Sequence, residues 1–233
     1  MHAVRVAHQS GRAGLAAAVV ASISACGAWS EPGVSVTLLA EPSAAADAGI
    51  PGLELFELRW TSSEIELQAC PGLVARAKDW LLPSAFAHGT SNPLRLAVPT
   101  VLSALGGPAI EIGELAPPGG SYCAVRYHVA PADDDAEGLL NAPAMRGMSL
   151  DVRGAFVDAG GVEQTFEILS QRTLDVSLPL ELELSASRPR AHLVVRSAFD
   201  HWPSGREFAA LASDQRERAA WQAFQASLEV SAE

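Results

Sequence analysis

The segment Gly113–Asp135, GELAPPGGSYCAVRYHVAPADDD, holds the clearest turn and the clearest strand of the chain. Pro117-Pro118-Gly119-Gly120 cannot continue a helix or a strand ladder, because proline lacks the amide donor and glycine readily adopts positive φ. The side chains that follow alternate between two faces: Cys123, Val125, Tyr127 and Val129 on one, Ala124, Arg126 and His128 on the other. This period of two predicts a half-buried strand from Tyr122 to Ala130 that ends at Pro131.

Short alternating segments between turns rich in Gly and Pro recur on both sides of this strand. They predict strands at 53–60, 64–69, 94–101, 109–115, 149–156, 164–170, 174–184 and 191–199. Thr61-Ser62-Ser63 is interpreted as a turn, Gly160-Gly161 as a tight hairpin, and Pro179 as the mark of a sheet edge or a break. Because no helical pattern separates these strands, we expect an all-β fold, an antiparallel β-sandwich.

A helical pattern is found at the end of the chain. Ser213 is a good N-cap, and Trp221, Phe224 and Leu228 recur at helical spacing to form one apolar stripe. The pattern predicts a C-terminal amphipathic helix that covers one open end of the sandwich.

The N-terminus has the features of a bacterial lipoprotein signal peptide. Arg5 and Arg12 precede the apolar run 13–25, which is too short to span a membrane and of the length typical of a secretory leader. Ile23-Ser24-Ala25-Cys26 resembles a lipobox, so we expect cleavage before Cys26 and lipidation of that residue; the alternative is an ordinary signal peptide with a spare cysteine. Lipidation would anchor the protein to the membrane of the cell envelope, and Gly27 after the cysteine resembles lipoproteins of the outer membrane facing the periplasm.

The remaining chain divides into two parts. Residues 26–52 are interpreted as a tether and linker with a candidate strand at 34–40, and residues 53–233 as a single β-sandwich domain with its C-terminal helix. Cys70 and Cys123 form an even pair in an oxidising compartment and are predicted to be disulfide-bonded. A metal thiolate site is the alternative, but no C-x-x-C spacing supports it.

Charge and motifs exclude several classes of function. The formal net charge is −11 and Lys78 is the only lysine, so the chain lacks the clustered cations that nucleic-acid binding requires. No G-x-S-x-G, H-E-x-x-H or phosphate-binding loop is present, and no pair of carboxylates stands out, so we expect a binding protein and not an enzyme.

Two sequence features near the histidines suggest a metal. His88 lies in a polar loop, and His201 precedes Trp202 in a segment where an aromatic beside an imidazole could shape a soft-metal pocket. His128 projects from the central strand. The alternative for each is an exposed or hydrogen-bonded imidazole without a metal.

The order of features resembles a known family. A lipobox is followed by the strand PPGGSYCAVRY and, before the terminal helix, by FDHWPSGREF. This order resembles the methanobactin-associated periplasmic copper-binding proteins, the partners of di-haem peroxidase-like proteins. The matching positions are Tyr122, Arg126 and Tyr127 in the strand, and Trp202, Gly205 and Phe208 in the late segment.

The resemblance implies a non-catalytic copper-binding module that works with a di-haem protein, and His88, His128 and His201 are the candidate copper ligands. The chain departs from the family where a four-cysteine pattern is reduced to Cys70 and Cys123, and where a Leu-Asn-His segment is replaced by Pro-Ala-Asp-Asp-Asp. The alternative function is therefore a metal-free structural or protein-interaction module of the envelope.

Overall fold

The computed structural model describes residues 35–42, 50–71 and 92–233. Eleven strands in these ranges, β1 to β11, run over Ser35–Ala40, Leu53–Ala69, Arg95–Leu96, Thr100–Ser103, Ile110–Leu115, Gly120–Val129, Leu150–Val157, Glu163–Ser170, Leu174–Leu184, Arg190–Ser197 and Leu228–Ala232. Two helices, α1 (Gly205–Ala209) and α2 (Ser213–Ser227), lie between β10 and β11. Neither helix is long and apolar enough to cross a membrane. Cys26, His88 and the predicted signal peptide lie outside the described residues.

The strands form two packed sheets, and the predicted all-β sandwich with a C-terminal helix is confirmed. The smaller sheet has the order β11-β10-β1-β5, and the larger has the order β8-β7-β2-β6-β9, with β3 and β4 also paired to β2. All strand pairs are antiparallel except β1 with β10, which is parallel. Alternate side chains of both sheets fill one continuous core, as the pleat requires.

The candidate strand upstream of Leu53 is an inner strand of the smaller sheet. β1 pairs with β10 on one side and with β5 on the other, and it buries Val36, Leu38 and Ala40. Ser35–Ala40 is therefore part of the fold and not of the tether in which the sequence interpretation placed it.

β2 is one strand of 17 residues, so the prediction of a turn at Thr61-Ser62-Ser63 is wrong. Thr61 and Ser62 are buried, and the Thr61 hydroxyl donates to the Met148 carbonyl at 3.1 Å. The small polar residues look like a turn in the sequence, but here their hydrogen bonds are made within the sheet. A register shift between Ser62 and Glu64 interrupts the regular pairing without ending the strand.

The registers show that β6 and β7 lie end to end along the same edge of β2. Arg59 pairs with both β4 and β7, and Ser62 pairs with both β4 and β6, so β4 occupies one edge of β2 while β6 and β7 occupy the other. The chain leaves this edge after Val129 and returns at Leu150. The excursion between them is closed by hydrogen bonds from Ala132 N to Met148 O (3.0 Å) and from Gly147 N to Ala132 O (2.8 Å).

The excursion has a small apolar cluster of its own. The cluster consists of Val101, Ala132, Ala136, Leu139, Ala142 and Met145. Two 3-10 turns, Leu139–Asn141 and Pro143–Met145, shape this segment, and the second packs against β2 and β7. The segment thereby packs against the larger sheet at the point where β6 gives way to β7 along β2.

The C-terminal helix packs its predicted stripe into the sandwich. Phe224 lies 5.5 Å from Trp60 and 5.9 Å from Trp221 between ring centroids. The helix begins one residue earlier than a Ser213 N-cap would place it, since Ala212 is the N-cap and its amide donates to the Gln215 side chain at 3.1 Å. Leu228 is buried but belongs to β11, which the sequence did not predict.

A close backbone approach holds α1 against the start of β2. Gly205 N donates to Pro51 O at 2.8 Å, and a Cβ on Gly205 would overlap the Gly52 carbonyl. Ser204 and Glu207 form a reciprocal capping box at the helix start. This anchorage places Phe208 of α1 against the aromatic rings of the β7–β8 hairpin.

Candidate functional site

The predicted disulfide between Cys70 and Cys123 is confirmed, with 4.8 Å between the two Cα atoms. It joins the end of β2 to the start of β6. The face assigned to Cys123 is wrong: Cys123 is exposed, and Tyr122 is buried in its place. The consecutive residues Gln68 and Ala69 of β2 pair with Ala124 and Tyr122, so Cys123 is an extra residue in a bulge and the alternation reverses at this point.

His128 stands on the outer face of the larger sheet, opposite the buried Tyr127 and Val129. It pairs in register with Glu64 of β2 and with Asp175 of β9. Both carboxylates have cationic partners, since Arg95 contacts Glu64 and Arg126 Nε donates to Asp175 Oδ1 at 2.9 Å. The hydrogen bond from Arg126 lowers the pKa of the Asp175 carboxyl. His128 therefore lies in a ladder of ion pairs on a solvated face.

His201 lies far from His128. It follows β10 in the segment that leads to α1. The first amide of α1, Gly205 N, donates to Pro51 O, just before β2 begins. His128 pairs near the middle of β2, so a long stretch of that strand separates the two imidazoles. The His201 side chain is half exposed, and its Nε2 lies 3.7 Å from Asp200 Oδ2.

These positions do not fit a copper centre built from His128 and His201. Within 35–42, 50–71 and 92–233, no group of three or more His, Cys, Asp or Glu side chains is placed to hold a metal ion. A copper site would need two or more imidazoles that converge on one point. His88, the third candidate ligand, lies outside these ranges.

Trp202, next to His201, is buried against Phe199, with 6.5 Å between ring centroids. Its indole N–H has no hydrogen-bond partner in the described part of the chain. Trp202 therefore belongs to the hydrophobic core, and the structure does not place it in a pocket with His201.

A buried carboxylate that sequence reasoning missed lies on β7. The Asp151 side chain is fully buried; its Oδ1 accepts from Arg153 Nε at 3.1 Å, and its Oδ2 has no partner among the described residues. Arg153 also contacts Glu57 of β2 and Glu167 of β8. Burial raises the pKa of the Asp151 carboxyl, while Arg153 acts in the opposite direction. Asp151 shares a face of β7 with Arg153, and its burial follows only from the tertiary packing.

The surface above Asp151 is formed by the outward side chains of three strands, and we name it the β8 face. Its members are Glu54, Phe56, Glu57 and Arg59 of β2, Asp151, Arg153, Ala155 and Val157 of β7, and Glu163, Thr165, Glu167 and Leu169 of β8. Three of its apolar side chains reach solvent: Phe56 is 54% exposed, Val157 47% and Leu169 41%. Phe56 is exposed because the register shift between Leu55 and Glu57 leaves it unpaired in a bulge.

Two open grooves extend the β8 face at the tip of the β7–β8 hairpin, and Val157 lines both. One, of about 700 Å³, lies between the hairpin and Arg206, Ala209 and Ala210. The other, of about 210 Å³, lies between Glu163 and the segment that enters β2. Asp158 shapes the hairpin by accepting from the amides of Gly160 (2.8 Å) and Val162 (2.9 Å), and Gly161 supplies a φ of 77°.

Comparison of the chain with models of known protein families, with curated proteins and with solved structures finds no match. The class that the fold defines is an all-β sandwich with a C-terminal helix.

Proposed function

We propose that this chain is a non-catalytic, lipid-anchored module of the bacterial cell envelope that binds another protein without a metal. The observation that carries the proposal is the β8 face, where exposed apolar side chains lie among charged groups beside two open grooves. A surface on which apolar and charged side chains are mixed is typical of a non-obligate protein interface.

The energetic case rests on three side chains. Phe56, Val157 and Leu169 each leave about half of their surface in water, and covering apolar surface contributes about 25 cal/mol per Å². The ion pairs of Arg153 with Glu57 and Glu167 hold the polar part of this surface in a defined arrangement. A partner therefore meets a preorganised sheet face, which reduces the entropy lost on binding.

The anchor is tested by location. Replacing Cys26 with Ala should move the protein from the membrane fraction to the soluble periplasm, and intact mass should show the lipid on Cys26 of the wild type. Recovery of an unmodified chain that begins at another residue would refute the anchor without touching the interaction.

The interaction is tested by photo-crosslinking in intact cells from a reactive amino acid placed at Thr165. We expect an adduct with a discrete partner, and we expect Leu169→Ser to reduce its yield at least severalfold. Ile110→Ser is the matched control, because Ile110 is exposed to a similar degree, 40%, on the other sheet. An adduct that responds equally to both substitutions, or no adduct, would refute the proposal. The resemblance to the copper-binding family predicts a haem-containing partner, which the absorbance spectrum of the adduct would reveal.

A further inference from the structure

The β8 strand is an open sheet edge in the described part of the chain. It pairs with β7 on one side, and the pairing runs without a register shift from Leu150 with Ser170 to Val157 with Glu163. Among the described residues no strand pairs with its other edge, whose backbone N–H and C=O groups can pair with an added strand.

The other sheet edges are each protected. β9 contains Pro179 and a register shift against β6, and β5 contains a register shift against β1. β3, β4 and β11 are short, at two, four and five residues. Proline, bulges and short length are devices that block edge-to-edge pairing, and β8 has none of them. Among the described edges, β8 is the one suited to take up a strand.

The charge of the β8 face selects the kind of strand. This face of the three strands carries five carboxylates, from Glu54, Glu57, Asp151, Glu163 and Glu167, against two guanidinium groups, from Arg59 and Arg153; of the five, Asp151 is covered. On β8 itself, Glu163 and Glu167 stand on the same face four residues apart, with Thr165 between them. Cross-strand neighbours lie about 5 Å apart, so opposite charges there are favourable and like charges unfavourable.

A second copy of this chain is a poor occupant for the same reason. Antiparallel two-fold pairing centred on Thr165 sets Glu163 against Glu167 of the other copy, and pairing centred on Glu167 sets that residue against itself. Pairing centred on Phe166 avoids direct opposition, but it still gathers four glutamates on one face between two chains of net charge −11.

We infer that β8 binds an extended, cationic segment of a partner protein as an added strand, with Lys or Arg side chains opposite Glu163 and Glu167 and an apolar side chain beside Leu169. The inference rests on the proposed interaction function and specifies its partner. Because Glu163 and Glu167 are four residues apart in a pleated strand, the two cations of the partner must also be four residues apart.

Two synthetic peptides of identical composition test this spacing. Each carries two lysines in a background of alternating Val and Thr; the lysines are four positions apart in one peptide and three apart in the other, which puts them on opposite faces of a strand. With the full-length protein in detergent, we expect the first peptide to bind at least tenfold more tightly and to slow hydrogen exchange of the β8 amides. Raising the salt concentration should weaken its binding.

Paired variants locate the contact. Glu163→Gln with Glu167→Gln should weaken binding of the first peptide about tenfold, whereas Glu181→Gln with Glu183→Gln, on the exposed face of β9, should leave it unchanged. Equal binding of the two peptides, unchanged exchange of the β8 amides on binding, or equal effects of the two double variants would overturn the inference.

The outcomes separate this inference from the proposed function. Suppose that the adduct in cells depends on Leu169, but that the cross-linked partner does not slow hydrogen exchange of the β8 amides. The interaction function is then retained and strand addition is refuted. A self-dimer cross-linked through β8 refutes the cationic partner. Absence of both the adduct and peptide binding refutes both proposals.

Discussion

The hydrogen bond between Trp60 and Tyr127 allows one atom of the core to be tested by itself. Trp60 Nε1 donates to Tyr127 Oη at 2.8 Å, and both side chains are fully buried. The bond links β2 to β6 directly beneath the ladder that holds His128. Replacing Tyr127 with Phe removes the acceptor and leaves the ring, so the apolar contacts are retained.

The expected cost follows from the orphaned donor. A buried N–H without a partner costs about 1 to 3 kcal/mol, and no solvent reaches Trp60 to replace the lost acceptor. We therefore expect Tyr127→Phe to lower the free energy of unfolding by about 2 kcal/mol. With a urea m-value of about 2.5 kcal/mol per M, the midpoint should fall by roughly 0.8 M.

Tyr122→Phe is the matched control. The Tyr122 hydroxyl donates to the Pro118 carbonyl at 2.7 Å, and Pro118 is exposed, so water can replace the lost donor. Its expected cost is at most about 1 kcal/mol. The assay is urea unfolding followed by near-ultraviolet circular dichroism at constant m-value, with the disulfide oxidised. If Tyr127→Phe costs no more than Tyr122→Phe, the reasoning about the buried donor is wrong.

Three further predictions concern the buried carboxylate, the disulfide and the copper hypothesis. Burial raises the pKa of Asp151 in the folded state. The contribution of this carboxyl to stability is therefore present below its unfolded-state pKa and is lost as the pH rises through its folded-state pKa. Because Asp151→Asn removes this gain at low pH, the free energy of unfolding of the variant relative to wild type should decrease as the pH falls from 7 to 4. Asp175→Asn should show the opposite trend in the same denaturation series, since Arg126 lowers the pKa of Asp175, and trends of the same sign would contradict both assignments. Replacing Cys70 and Cys123 with Ser should lower the free energy of unfolding by about 4 kcal/mol, as the chain-entropy model gives for a crosslink across 53 residues, and free thiols in the wild type by peptide mapping would rule out the bond. In a copper titration, His128→Ala should bind as much metal as wild type, because the imidazole stands between two ion-paired carboxylates; loss of one equivalent would assign His128 to a copper site.

Local patterns were sufficient to locate most strands, but they failed where tertiary contacts change the meaning of a residue. Thr61 and Ser62 favour a turn by type, yet they are buried inside β2 because Met148 and β6 supply their partners. Cys123 would share a face with Val125 in a regular strand, but the pairing of β6 with β2 leaves Cys123 as an extra residue in a bulge. The candidate site was missed for a related reason: Phe56, Val157 and Leu169 are far apart in sequence and share one face only through the β2–β7–β8 pairing.

The sequence by itself determined the class of fold, the pair of cysteines, the C-terminal helix and the bounds of β9, because each depends on local periodicity or on residue type. Strand order depends on contacts between distant segments, which local patterns do not encode. Only the tertiary structure decided that β1 lies inside a sheet, that β6 and β7 share one edge of β2, and that β8 is left as an open edge with Glu163 and Glu167 facing outward. The tertiary structure also separates His128 from His201: the two imidazoles could bind the same metals, but they belong to different parts of the fold.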